Sequence, residues 1–168
     1  MNNINMEKTH ILSIHVENES GVLTRVAGLF SARGFNIDSI CVAKMLDKNE
    51  SKMIIATSGD TQILEQITKQ LNRLVNVIKV QELTDEDSVV RQTVLIKVNA
   101  DETTKSDIFR IKDIFGGRVI DVSRNSYTLE VTGSERKIES LIDILRPLGI
   151  KDIVKTGIIA LQRTRKQS

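Results

Sequence analysis

The apolar residues of this chain change period in a fixed order, and that order restricts the fold more than any other feature. Residues 10–16 alternate, with Leu12, Ile14 and Val16 set against Ile11, Ser13 and His15, as in a strand. Residues 17–21 break the alternation with turn-forming and capping types. From Leu23 the spacing becomes helical: Leu23, Val26, Ala27 and Phe30 share one face, and Gly34 stops the helix. Residues 35–43 return to a β pattern, residues 47–51 supply a polar turn, and residues 52–57 make the second arm of a hairpin. Asp60 or Thr61 caps another helix with Ile63, Ile67, Leu71 and Leu74 inward, and residues 75–83 close as a strand. The order is β-α-β-β-α-β.

After the acidic stretch Asp85-Glu86-Asp87-Ser88 the same order recurs more faintly. Residues 93–98 read as a strand, and residues 104–115 as a helix with Ile108, Ile111 and Phe115 inward, ended by Gly116-Gly117. Residues 118–122 and 127–131 pair as a hairpin. Ser134 opens a helix bearing Ile138, Leu141, Ile142 and Leu145, stopped near Pro147, and residues 150–161 form a last strand region in which Gly157 marks a bulge or break. The expected fold is α+β, two tandem βαββαβ (ferredoxin-like) domains over residues 9–83 and 92–163. Residues 84–91 are the linker, and residues 1–8 and 164–168 are flexible ends. Two-sided apolar strands, with Ile11 against Leu12 and Ile14 and with Met53 and Ile55 against Ile54 and Ala56, favour pairing with another copy. A homodimer is therefore expected.

Composition narrows the function. Only 3% of residues are aromatic and none is Trp, so platforms for stacking bases are scarce, and a net charge of +2 gives no nucleic-acid footprint. RNA-recognition modules of the same strand order stack bases on strand aromatics; here residues 11–14 and 52–57 carry none. Copper-carrying modules of that order need two cysteines, and Cys41 is alone, which also excludes an internal disulfide framework. In its apolar run, Cys41 is expected to be buried and inert. His10 and His15 project to opposite faces of one strand and cannot chelate together, so no metal site is expected. Asp101 and Glu102 read as a solvated loop, and Arg163, Arg165 and Lys166 as a solvated tail. No catalytic residue and no cofactor site is expected in this chain. No apolar run is long enough to cross a membrane, and the polar residues 1–8 lack the apolar stretch of a secretory signal; the expected location is cytoplasmic.

Two stretches carry a positive signal. Val16-Glu17-Asn18-Glu19-Ser20-Gly21-Val22-Leu23 leaves a strand, turns tightly and enters a helix, whose unpaired N–H groups and positive dipole end suit a carboxylate. Gly21 permits close approach, and Asn18 and Ser20 either cap the helix or bind a ligand. Gly34-Phe35-Asn36-Ile37-Asp38-Ser39-Ile40 feeds the helix stop into the next strand, where Asn36 is placed to meet the Asn18 turn across a subunit boundary.

Together these stretches resemble the ACT domain, a small-molecule-sensing βαββαβ module. The ordered set Ile11-Leu12-Ser13, Glu17-Asn18-Glu19-Ser20-Gly21-Val22-Leu23-Thr24-Arg25-Val26, Gly28-Leu29-Phe30-Ser31 and Arg33-Gly34-Phe35-Asn36-Ile37 is similar to the small subunits of acetohydroxyacid synthase (acetolactate synthase). Leu64-Glu65-Gln66-Ile67, Lys69-Gln70-Leu71-Asn72-Arg73-Leu74-Val75, Gly117-Arg118-Val119-Ile120-Asp121-Val122 and Thr156-Gly157-Ile158-Ile159-Ala160-Leu161 extend the likeness from residue 9 to 163. The resemblance implies a non-catalytic regulatory subunit. Its partner would be a catalytic large subunit carrying thiamine diphosphate, magnesium and FAD, which the small subunit activates and places under feedback inhibition by valine or another branched-chain amino acid. It also implies an effector site between two ACT domains, lined by Asn18, Ser20, Gly21, Val22, Leu23, Asn36 and Ile37. The alternative is a free-standing amino-acid-binding protein with another target. Residues 1–8 extend beyond the family's usual start, and residues 101–113 are shorter and more polar than its pattern.

Overall fold

The computed structural model describes residues 8–83 and 88–164. The first half contains β1 (Lys8–Glu17), α1 (Val22–Ser31), β2 (Ser39–Lys44), β3 (Glu50–Gly59), α2 (Thr61–Leu71) and β4 (Val77–Leu83). The second contains β5 (Ser88–Asn99), α3 (Lys105–Ile114), β6 (Arg118–Val122), β7 (Ser126–Gly133), α4 (Glu135–Leu145), β8 (Ile150–Lys155) and β9 (Ile159–Gln162). The sheets run β2-β3-β1-β4 and β6-β7-β5-β8, antiparallel throughout, with β9 additionally pairing β5. Each half is thus a split βαβ sheet, and the α+β class of two tandem ferredoxin-like units is as the periodicity indicates.

Leu12, Ile14 and Val16 of β1 and Met53 and Ile55 of β3 form the floor of the first core. Val22, Val26 and Phe30 of α1 and Leu64, Ile67 and Leu71 of α2 close it from above. Burying each such side chain is worth about 1.5–3 kcal/mol. The α1 stripe buries Val26 and Phe30 as expected and differs at its first position. The helix starts at Val22, so Val22, Val26 and Phe30 face inward at four-residue spacing, while Leu23 is 47% exposed. In the second unit Val94, Ile96 and Val98 meet Leu129 and Val131, with Ile108, Ile138, Leu141 and Leu145 from the helices. Asp60 caps α2 by accepting from the Ile63 N–H at 2.8 Å, as its position suggests.

Three local departures have identifiable causes. The strand expected from residue 35 begins at Ser39. Gly34, at φ 70°, ends the first helix, and the next residues bond locally: the Asn36 carbonyl accepts from Thr57 Oγ1 at 2.6 Å, and Asn36 Nδ2 donates to Asp38 Oδ1 at 2.7 Å. Phe35 and Ile37 still pack against the first core. Secondly, the region 150–161 is two strands, broken at Gly157 with φ 79°. Thirdly, Ile11, Ile54 and Ala56 are buried within the single chain, at 6%, 6% and 1% exposure. Their apolar character therefore gives no argument for a second copy. Cys41 lies half-buried on β2.

The described residues separate into two compact units, one of residues 90–157 and one of those up to Val89 together with residues 158–164. Within the first unit the Ile158 N–H donates to Ser39 Oγ at 3.3 Å, Gln81 Nε2 to Gln162 Oε1 at 2.7 Å, and Arg163 Nε to the Ser88 carbonyl at 3.1 Å. Residues 88–91 of the expected linker belong to β5, and residue 8 to β1. Its remainder at 84–87 and the expected flexible residues 1–7 and 165–168, with Arg165 and Lys166, lie outside the described residues.

The Asp101 loop carries a pH signature. Its carboxyl accepts from Thr103 Oγ1 at 2.6 Å and from the Thr104 N–H and hydroxyl at 2.8 and 3.0 Å. The Thr103 hydroxyl, then the Thr104 groups, lower its pKa from 3.8 to about 2. A depressed folded pKa contributes stability that is present above the unfolded value and lost as pH falls through the folded one. Asp101→Asn is therefore expected to flatten the stability–pH curve between about pH 4 and pH 2 and to leave its shape above pH 5 unchanged, as read by denaturant titration at stepped pH.

Candidate functional site

The β1–α1 turn is held from two sides. On one side the β2–β3 hairpin grips Asn18: the Asn49 carbonyl accepts from its backbone N–H at 2.6 Å and the Lys48 carbonyl from its Nδ2 at 2.9 Å, while Ser51 Oγ donates to its Oδ1 at 3.1 Å. On the other side Asn76, buried between α2 and β4, accepts the Glu17 N–H on its carbonyl at 2.9 Å. Its Nδ2 donates to Glu17 Oε2 at 2.7 Å and Glu19 Oε2 at 3.0 Å, and its Oδ1 accepts from Arg25 Nη1. This brace joins the end of β1, the turn and α1.

Between these anchors Gly21 takes φ 84°, ψ −7° at the N-cap of α1, and no side chain caps the helix. Ser20 is exposed and does not cap it. The Val22 N–H reaches the Glu19 carbonyl at a long 3.4 Å, and the Arg25 N–H bonds the Gly21 carbonyl at 3.0 Å. Among the described residues, the N–H groups of Leu23 and Thr24 have no acceptor. Gly21 leaves open space, since a Cβ there would meet nothing within 4 Å. The result is an accessible helix N-terminus of donor groups beside the half-exposed Leu23 side chain. Val22 is 3% exposed and packs in the core, so only its backbone faces the turn.

Asn36 and Ile37 lie elsewhere. Asn36 is exposed past the C-terminal end of α1, and Ile37 is half-buried against the core. The ten residues of α1 separate them from Gly21 by about 15 Å along the helix axis. One chain therefore brings Asn18, Ser20, Gly21, Val22 and Leu23 together but not Asn36 and Ile37.

Asn76, Ser51 and Arg25 were not marked by sequence pattern. The one available signal was polarity: Asn76 interrupts the apolar run Leu74-Val75-Asn76-Val77. The histidines sit apart from the turn's donors. His15 Nε2 donates to Glu50 Oε2 at 2.8 Å, and buried His10 lies between Glu82 Oε1 at 3.1 Å and the Gly59 carbonyl at 3.2 Å. Among the described residues no three His, Cys, Asp or Glu side chains converge as a metal site, and no helix is long and apolar enough to cross a membrane.

The βαββαβ unit with its glycine-opened first helix is an ACT domain: residues 12–79 match the family described as AHAS small subunit-like ACT domain. Residues 91–164 match the family described as small subunit of acetolactate synthase. The chain is 49% identical to the acetolactate synthase small subunit of Mycobacterium bovis over 156 residues, 93% of each chain. It is 47% identical to that of Mycolicibacterium smegmatis over 155 residues, 92% of this chain and 91% of the other. The crystal structure of the acetolactate synthase small subunit from Thermotoga maritima superimposes with a TM-score of 0.88 at 40% identity, covering 95% of this chain and 99% of that one. The chain belongs to the acetolactate synthase small-subunit family.

Proposed function

We propose that this chain is the regulatory subunit of an acetolactate synthase, which activates a catalytic large subunit and makes it sensitive to feedback inhibition by valine. The single observation that carries the effector site is the uncapped start of α1, where the Leu23 and Thr24 N–H groups stand free beside an open Gly21. The carboxylate of an amino acid satisfies those donors and complements the helix dipole. Asn18 and Ser20 add polar contacts, and Leu23 offers the aliphatic wall a branched side chain needs.

Because Asn36 and Ile37 stand at the far end of α1, their part in the same site comes from a second copy, and the working unit is a homodimer. Among the described residues β2 pairs only with β3, and its other edge is available for that contact. The chain itself is non-catalytic and acts in the cytoplasm. Thiamine diphosphate, magnesium and FAD belong to the large subunit, and no residue here is assigned to them. Selectivity among branched side chains is modest, since one methylene is worth about 1–3 kcal/mol.

Calorimetric titration of the purified chain with valine, leucine and isoleucine, followed by acetolactate assay with and without the large subunit, tests this reading. Saturable valine binding, activation on reconstitution and valine-dependent loss of that activation are expected. Binding without activation would assign the chain to another target, and acetolactate formation by the chain alone would overturn its non-catalytic role.

A further inference from the structure

We infer that Ser51 is a positioning residue for the effector site, acting through Asn18 to fix which atoms of that side chain the ligand meets; this rests on the effector-site reading above. The Lys48 carbonyl can only accept, so the Asn18 atom 2.9 Å from it is the Nδ2 amide nitrogen. The opposite atom is then Oδ1, and at 3.1 Å it takes the hydrogen of the Ser51 hydroxyl, on a residue 5% exposed. Both partners belong to one hairpin, whose Asn49 carbonyl also holds the Asn18 backbone. Turning the amide over would set Oδ1 against the Lys48 carbonyl, which can only accept, and would force the Ser51 hydroxyl to give up its donor role.

One Nδ2 hydrogen is spent on Lys48 and one remains. Asn18 thus enters the site as a donor, of the same polarity as the free N–H groups of Leu23 and Thr24. Three donors on one turn favour the carboxylate of the ligand, and its ammonium is left for acceptors outside this cluster. Without the Ser51 hydroxyl, Oδ1 loses its partner and the amide is held on one side alone, by the Lys48 carbonyl, so the remaining Nδ2 hydrogen is aimed less tightly.

The test titrates valine into the full-length chain and its variants Ser51→Ala, Ser51→Thr and Asn18→Asp, with thermal unfolding measured for each. Ser51→Ala is expected to weaken valine binding by roughly threefold to tenfold with the unfolding midpoint nearly unchanged. Ser51→Thr keeps the hydroxyl on a strand position suited to it and is expected to bind close to wild type. In Asn18→Asp the donor is gone and binding is expected to be lost. Wild-type affinity in Ser51→Ala, alongside loss in Asn18→Asp, would overturn the positioning role while leaving the site standing. Equal weakening in Ser51→Ala and Ser51→Thr, each with a lowered unfolding midpoint, would also overturn it, because packing rather than the hydroxyl would then matter. Equal binding by wild type and Asn18→Asp would overturn the effector-site reading itself, and this inference with it.

Discussion

Gly21→Asp is expected to abolish valine binding in a chain that still folds. The backbone at Gly21 lies at φ 84°, a conformation aspartate tolerates better than most residues at a cost of about 1–3 kcal/mol. A Cβ there meets nothing within 4 Å, so no side chain must move. The new carboxylate is introduced at the start of α1, beside the Leu23 and Thr24 N–H groups that are free in the native chain. The variant thus carries a tethered competitor for the effector carboxylate. Losing the charge-assisted bonds and adding like-charge repulsion lowers affinity by roughly a hundredfold or more. Gly21→Asn occupies the same donors without the charge and should fall between the two. Calorimetry gives the affinities, and the reconstituted synthase should lose valine inhibition in the same order. Undiminished inhibition in Gly21→Asp would move the effector site away from this turn.

Phe30→Ala carries the largest expected cost in stability. Phe30 is fully buried in a core shared by β1, β3, α1 and α2. Removing a buried phenyl ring costs about 3–5 kcal/mol, against a total stability of about 5–15 kcal/mol for an ordinary domain. The second core, around Ile96, Ile108 and Leu141, shares no residue with the first. Hydrogen exchange should therefore show protection falling sharply in β1, α1 and β3 and much less in β5 and β7. A uniform fall across both units would mean that they unfold as one.

The fold was legible because hydrophobic period is a property of single elements. Ile67 and Leu71 of α2, and Ile138, Leu141 and Leu145 of α4, lie in the cores that their spacing indicates. The error at α1 shows the limit of that signal. Leu23 fits the apolar stripe as well as Val22 does, and the starting point of the helix, set by Gly21, decides which of them is buried. The site was legible only as a turn. Its donors depend on hydrogen bonds that Asn18 makes with Lys48, Asn49 and Ser51, and Asn76 with Glu17 and Glu19, across 30 to 59 residues of sequence. Such bonds have no periodicity. A serine that orients an amide and a serine that merely faces solvent look alike in a sequence.

The return of Ile158 to the first unit sets an order of events during synthesis. The ACT half is the first to be translated, yet the strand and hydrogen bonds supplied by residues 158–163 are made last. At roughly 5–20 residues per second, the early half waits several seconds for its final pieces. Meanwhile residues 90–157 must be emerging and folding in between. A nascent chain halted before residue 158 carries the complete β1–α1 turn but lacks the Ile158–Ser39 bond to β2, the strand proposed to meet a second copy.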